Sequence, residues 1–265
     1  MVKGPMTENP NGYIHTDQTG RIGWLTIANP ENRNAMNFSM YQMMPAAIKE
    51  LTDADVRVIV VQGQGEEAFG AGSDISEFLN LRRKENASAY DKAELAAHRA
   101  IENASIPTIA MIHGACRGGG LAIALACDLR FASKEASFAV PPAKLGIAFP
   151  HAALESLTEI IGPAHAKNLV LTATTINSSE AYRIGLIHGV CRKSQLKETV
   201  HSLASQISKL APKTLLAAKT SLAYLVGKAT ADEVKAATDD CYESNDYLEG
   251  IAAFMEKRSP KFDGT

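Results

Sequence analysis

Thr108-Ile109-Ala110-Met111-Ile112-His113-Gly114-Ala115-Cys116-Arg117-Gly118-Gly119-Gly120, followed by the apolar run Leu121–Cys127, decides how this chain folds. Pro107 precedes Thr108–Ile112, which reads as a buried strand. Leu121–Cys127 is Ala-rich and fits a buried helix that begins right at the glycines. Three consecutive glycines relax steric limits, so successive N–H groups can point at one atom. The helix N-terminus adds positive potential to them. Such a turn suits negative charge on oxygen, where one donor is worth roughly 3–4 kcal/mol in a transition state. A tight strand-to-helix turn with close packing is the plain alternative, and spacing alone does not separate the two. Neither the dinucleotide G-x-G-x-x-G spacing nor a G-K-[ST] phosphate loop is present here.

Working outward, Val56–Val61 is a near-continuous β-branched run, the pattern of a strand buried on both faces. It leads into a loop of Gly and small residues, Gly63 to Asp74. Within it, Ala68-Phe69-Gly70-Ala71-Gly72-Ser73-Asp74-Ile75 would let main chain approach a ligand closely, with Ser73 offering a second N–H; a flexible loop is the bland reading. Upstream, Thr19-Gly20 predicts a hairpin turn between Tyr13–Thr16 and Ile22–Ile27. Residues 40–51 are helix-like behind a Ser39 cap, with Pro45 expected to start or kink that helix. Arg82 to Tyr90 is charged and irregular, the pattern of a mobile segment, and helical periodicity returns from Lys92 to Asn103. Leu129–Ala132 and Ser137–Ala139 read as short strands. Beyond Pro150 the pattern is helical, with Gly162-Pro163 separating two helices and Asn177/Ser178 capping a third. From Gln195 onward the chain is almost wholly helical, broken at Pro212 and Gly227.

The bulk numbers bound the function. At 265 residues, 46% hydrophobic and 21% charged, the chain can bury a full core. A formal net charge of −2 argues against a nucleic-acid partner, because phosphate binding needs a basic surface. A charged ligand must then meet a few local cations. One such place is Gly250 to Phe262, whose Lys and Arg residues suit a phosphate or simply complement a helix C-terminus. Residues 1–11 are polar and read as a loose tail without signal or transit character. No apolar run approaches the ~20 residues of a membrane span. Cys116, Cys127, Cys191 and Cys241 lack metal-finger spacing and read as reduced thiols in a cytoplasmic protein.

Taken in order, these segments resemble the crotonase superfamily, the enoyl-CoA hydratases, isomerases and their relatives, from about Tyr13 to Phe262. Asn34-Ala35-Met36 is similar to that family's R-N-A-L element, and Ala68–Ile75 to its A-F-x-A-G-x-D-I loop. His113–Asp128 resembles its N-G-x-x-x-G-G-G stretch ending in C-D, and Ser179–Leu186 its S-A-x-E-A-x-x-x-G-L-V signature. The resemblance implies a mixed α/β fold, the crotonase/ClpP-like spiral of ββα units, over residues 12–200. A helical oligomerisation region over 201–265 would build a homotrimer or a dimer of trimers. It implies an acyl-CoA substrate, with coenzyme A as part of that substrate and no tightly bound cofactor or metal. The N–H groups of Ser73 and Gly119 would form an oxyanion hole for a thioester enolate. Arg33, Ala35, Ala71, Asp74 and Ile75 would line the coenzyme A, with Phe254 and Lys257 reaching its nucleotide end from a neighbouring subunit. Asp74 also reads as the residue that fixes its own loop.

Two positions depart from the family's hydratases, which use a pair of glutamates to add water. Ala122 and Pro142 stand at the matching sites, and neither side chain relays a proton. Val140–Gly146 resembles branches without the second glutamate, including methylmalonyl-CoA decarboxylases, although Phe149 and Ser73 stand where that branch has Tyr and His. His151, after Pro150 at a helix start, is the first substitute acid/base candidate, since imidazole titrates near neutrality. His98, Glu155 and Asp74 are further ones. The expectation is therefore an acyl-CoA enzyme with atypical acid/base residues. A decarboxylase, a thioester hydrolase and a non-catalytic acyl-CoA-binding protein are the alternatives.

Overall fold

The computed structural model describes residues 12–265; the expected tail at 1–11 lies outside the described residues. The hairpin forms as expected, with β1 (Tyr13–Thr19) antiparallel to β2 (Ile22–Ala28). Next come α1 (Phe38–Asp53), β3 (Val58–Gly63), β4 (Ala68–Gly70), α2 (Phe78–Leu81) and α3 (Ala87–Glu102). The central stretch supplies β5 (Thr108–Ile112), β6 (Ala115–Arg117), α4 (Gly119–Ala126), β7 (Leu129–Ser133) and β8 (Ser137–Ala139). The remainder is α5 (His151–Thr172), β9 (Ile176–Asn177), α6 (Ser178–Arg183), β10 (Gly189–Cys191) and the helices α7 (Lys193–Ile207), α8 (Pro212–Leu225), α9 (Ala231–Tyr242) and α10 (Asn245–Glu256).

Two sheets result. The larger runs β1-β2-β3-β5-β7-β10, parallel from β2 onward, and the smaller runs β4-β6-β8-β9. Val58, Ile59, Val60 and Val61 are all fully buried, because both faces of the large sheet are covered. Ile59 and Val61 join the main core with α1, α3 and α4. Val58 and Val60 face Leu196, Val200 and Ala204 of α7. Position 200, where the sequence divides body from appendage, is thus a core residue in the middle of α7. The helices after α7 expose large apolar side chains, including Leu222, Leu225, Leu248, Ile251 and Phe254.

Three local expectations change. The cap of α1 is Asn37, whose side chain accepts from Met40 N, rather than Ser39. Pro45 neither starts nor breaks that helix. An interior proline costs about 3 kcal/mol, and the buried stripe of Met40, Tyr41, Met44, Ile48 and Leu51 outweighs it. The stretch Arg82–Tyr90 is ordered by helix and side-chain contacts, with Tyr90 fully buried inside α3. Gly162 is non-helical (φ 73°), so α5 is kinked at Gly162-Pro163 into two helical segments, as expected.

Candidate active site

The site is assembled where two glycines let main chains touch. Gly70 ends β4, and a methyl added to Gly120 would lie 2.3 Å from the Gly70 carbonyl oxygen. Gly118 has φ +49°, a conformation that L side chains rarely adopt, and it turns the chain from β6 into α4. Every residue of α4 is buried. At its other end the buried Arg130 guanidinium donates to the Cys127 carbonyl (2.6 Å) and the Leu186 carbonyl (2.8 Å), complementing the helix C-terminus.

Facing this turn, the loop after β4 is held by Arg33–Met36. Ala71 N donates to Arg33 O (3.0 Å), Met36 N to Gly72 O (2.8 Å) and Asp74 N to Met36 O (2.8 Å). Met36 and Ser73 therefore form a parallel bridge, in which Gly72 and Asp74 make the bonds and the Ser73 N–H points away. The first N–H of α4, on Gly119, lacks an intrahelical partner by construction. Neither N–H has a protein acceptor among the described residues. A methyl on Gly119 would lie 3.2 Å from Ser73 N, so the two donors flank one small space. Asn34 secures the arrangement from behind: its Nδ2 donates to Gln64 O (2.9 Å) and Ala68 O (2.7 Å), and its Oδ1 accepts from Asn29 N (3.1 Å).

Two cavities meet here. One is lined by Ala71, Ser73, Ile75, Gly119, Pro142 and Phe149. The other, of about 540 Å³, is lined by Leu95, Ala122, Ile123, Phe149, Ala153 and their polar neighbours, within the size range of small-molecule sites. Ala122 and Pro142 thus both face cavity space. Arg33, Ala35, Asp74 and Ile75 line a shallower depression beside Ser73. The Asp74 carboxylate accepts from Ser76 N (3.0 Å) and Ser76 Oγ (2.7 Å), so it caps its own turn. Phe254 is 82% exposed on α10, and Lys257 follows at that helix's C-terminus. Within one chain, neither lines the cavities that contain Ser73.

The histidines separate. His151 begins α5 at the cavity rim, its side chain 87% exposed and 3.4 Å from Glu155 Oε1. Glu155 also lies 3.7 Å from Arg99. His98 is buried; its Nδ1 donates to Ala122 O (3.1 Å) and its Nε2 lies 3.3 Å from Ser156 Oγ. Both ring nitrogens are engaged, and burial pushes the imidazole pKa down, favouring the neutral form.

Sequence reasoning missed one group. Glu94 of α3 is buried yet lines both cavities. Its Oε2 accepts from Arg82 Nη2 (2.7 Å), and its Oε1 receives a long contact from Tyr41 Oη (3.5 Å). Tyr41 Oη is in turn 2.8 Å from Ser73 Oγ. Arg82 also pairs with Asp91 (3.0 Å) and sits over the Phe78 and Tyr90 rings. Burial raises the Glu94 carboxyl pKa, and the facing Arg82 only partly offsets it. The available signal was a glutamate in phase with the buried stripe Tyr90, Ala97, His98 and Ile101. The helix expected over Lys92–Asn103 already contained Glu94, but Tyr90, which opens the buried stripe, lay outside it.

Among the described residues no group of three or more His, Cys, Asp or Glu is arranged to hold a metal, and no helix is long and apolar enough to cross a membrane. The family model described as enoyl-CoA hydratase/isomerase matches residues 17–265. The short-chain-enoyl-CoA hydratase of Clostridium acetobutylicum is 32% identical over 247 residues, covering 91% of this chain and 94% of that protein. The crotonyl-CoA hydratase of Syntrophomonas wolfei is 31% identical over 262 residues, covering 94% and 97%. Among solved structures, an enoyl-CoA hydratase/carnithine racemase from Magnetospirillum magneticum superposes with a TM-score of 0.89 at 32% identity, covering 95% of this chain and 96% of that one. With the match running through the Gly118–Gly120 turn and the Ser73 loop alike, this chain belongs to the enoyl-CoA hydratase/isomerase family.

Proposed function

We propose that the protein binds an acyl-CoA thioester with its carbonyl oxygen between the N–H groups of Ser73 and Gly119, and stabilises the enolate that forms there. The single observation that carries this reading is that Ser73 and Gly119, whose N–H groups have no protein acceptor among the described residues, stand side by side in the lining of one cavity. As negative charge grows on the thioester oxygen, both donors and the α4 N-terminus strengthen their interaction with it, which lowers the barrier without reorganisation. The 540 Å³ cavity would take the acyl chain along Leu95, Ile123 and Phe149. The depression at Arg33, Ala35, Asp74 and Ile75 would take the start of coenzyme A.

Exposed Phe254 and Lys257 would complete the nucleotide end from a neighbouring copy. The apolar side chains left open on α8 and α10 support such an assembly, a homotrimer or a dimer of trimers, because monomers rarely expose large apolar patches. Ala122 and Pro142 in the cavity walls favour an enolate reaction other than the two-carboxylate addition of water. Titrating the protein with hexanoyl-CoA by calorimetry, alongside hexanoic acid and coenzyme A separately, tests the reading. Micromolar binding of the thioester is expected; affinity no greater than that of free coenzyme A would overturn it.

A further inference from the structure

We infer that Glu94 is the catalytic base and acid of this site. The inference rests on the acyl-CoA reading above and adds the proton-transferring group that Ala122 and Pro142 do not supply.

The geometry is specific. Glu94 is the carboxylate that lines both cavities, the one bordered by Ser73 and Gly119 and the larger one beside it. The other carboxylates around the larger cavity, Asp91 and Glu155, do not line the smaller one. The Glu94 side chain is only 6% exposed, so bulk water does not compete for its proton. Arg82 holds one of its oxygens (2.7 Å), and Tyr41 makes the long contact (3.5 Å) to the other. Where both protons are used, the Ser73 hydroxyl donates to Tyr41 and Tyr41 donates to Glu94. A chain of hydroxyls therefore joins the carboxylate to the residue whose N–H holds the thioester oxygen. A surface anchor for Arg82 would not need this connection, because Asp91 already supplies one.

The step balances within one substrate. Glu94 removes a proton from the carbon next to the thioester carbonyl; that C–H bond breaks and an O–H bond forms. The electron pair passes to the thioester oxygen between Ser73 and Gly119. The protonated carboxyl then returns the proton to the same carbon, or to a carbon two further along an unsaturated chain, which moves the double bond. No oxidant, metal or second substrate is required. The groups acting on the carboxyl are Arg82, Asp91 and Tyr41, with Tyr90 near enough to feel its charge and His98 in the lining of the same cavity. Burial raises its pKa above the ordinary carboxylate value, which makes the ionised form a stronger base.

The test is hydrogen–deuterium exchange of hexanoyl-CoA in D2O, read by NMR at the α-carbon, with Kd measured by calorimetry on the same preparations. Wild-type protein is expected to exchange the α-protons. Glu94→Gln is expected to lose about 100-fold or more of that rate, the usual share of a general base, with Kd within about threefold. The wild-type rate should rise with pH as the carboxyl ionises, and the variant should lose that rise. Glu94→Asp keeps the charge and the Arg82 pairing and guards against misfolding of the amide variant. It should exchange at least tenfold more slowly at an unchanged Kd. Exchange by Glu94→Gln within threefold of wild type overturns the assignment, as does undiminished exchange by Glu94→Asp. Wild-type protein that binds hexanoyl-CoA but exchanges nothing also overturns it while leaving the acyl-CoA reading standing. Absence of binding removes the acyl-CoA reading itself.

Discussion

Gly119→Ala separates the proposed oxyanion hole from the rest of the fold. A methyl at this position would stand 2.3 Å from Tyr41 Oη, 2.8 Å from Ser73 Oγ and 3.2 Å from Ser73 N. Carbon and oxygen do not approach this closely, so the hydroxyl pair and the Ser73 loop must retreat by roughly 1 Å, a shift that can cost about 100-fold in rate. Losing one oxyanion donor by itself costs roughly 2.7–4 kcal/mol, or about 100- to 1000-fold. Stability should fall less. Overpacking costs about 1–3 kcal/mol, and alanine regains nearly 1 kcal/mol over glycine in a helix. The assay is α-proton exchange of hexanoyl-CoA in D2O, with thermal melts and Kd from the same samples. We expect exchange to fall at least 100-fold while the protein stays folded and its affinity changes less than about tenfold. The neighbouring Gly120→Ala is the contrast. The three atoms nearest its methyl would all be Gly70 main chain, at 2.3, 2.6 and 2.8 Å, which cannot swing aside. That variant should lose the fold before it loses the chemistry. A folded Gly119→Ala protein exchanging within threefold of wild type would refute the oxyanion assignment.

Three further outcomes follow from the same geometry. Ala122→Glu combined with Pro142→Glu puts two carboxylates into the cavity walls, and crotonyl-CoA hydration, followed by loss of the enoyl absorbance, should rise at least about 100-fold; a folded variant with no gain places those positions out of reach of the reacting carbons. Asn34→Ala removes three hydrogen bonds, two of them buried, and leaves alanine at φ +58°, so urea unfolding should show a loss of about 3 kcal/mol. His98, His113 and His188 all have pKa values lowered chiefly by burial. The unfolded chain therefore takes up protons first, and their stabilisation, intact above about 6.5, is lost as pH falls toward the depressed folded values. Melting temperature should decline between pH 7.5 and 5.5, less steeply in His98→Asn; a flat profile contradicts this.

Much of the fold was legible because burial leaves a local mark. Thr108–Ile112 and Ser137–Ala139 form the strands that their composition indicates, and the helix begins at the glycines. The double-sided burial of Val58–Val61 was readable as an unbroken β-branched run. Where local signals compete, the outcome depended on packing. Asn37 and Ser39 are both capping residues, and Pro45 argues against a helix that tertiary burial nevertheless maintains. The Asn34 side chain looked like one letter of a motif, but it bonds main chain 30 and 34 positions away, a distance no local pattern records.

The sequence by itself determined that a Gly-rich turn opens a buried helix, that Ala122 and Pro142 stand where carboxylates are expected, and that the chain resembles an acyl-CoA family. These are properties of neighbouring residues, and the backbone geometry of a turn depends on little else. Only the tertiary structure decided what the turn faces. Tyr41, Ser73, Arg82, Glu94 and Gly119 come from separate segments, and they meet because Gly70 and Gly120 let main chains touch and α1 packs on α3. A charged residue on a buried stripe reads locally as a flaw in a helix. Which cavity it lines, and which cation and hydroxyl hold it, is set by long-range packing alone.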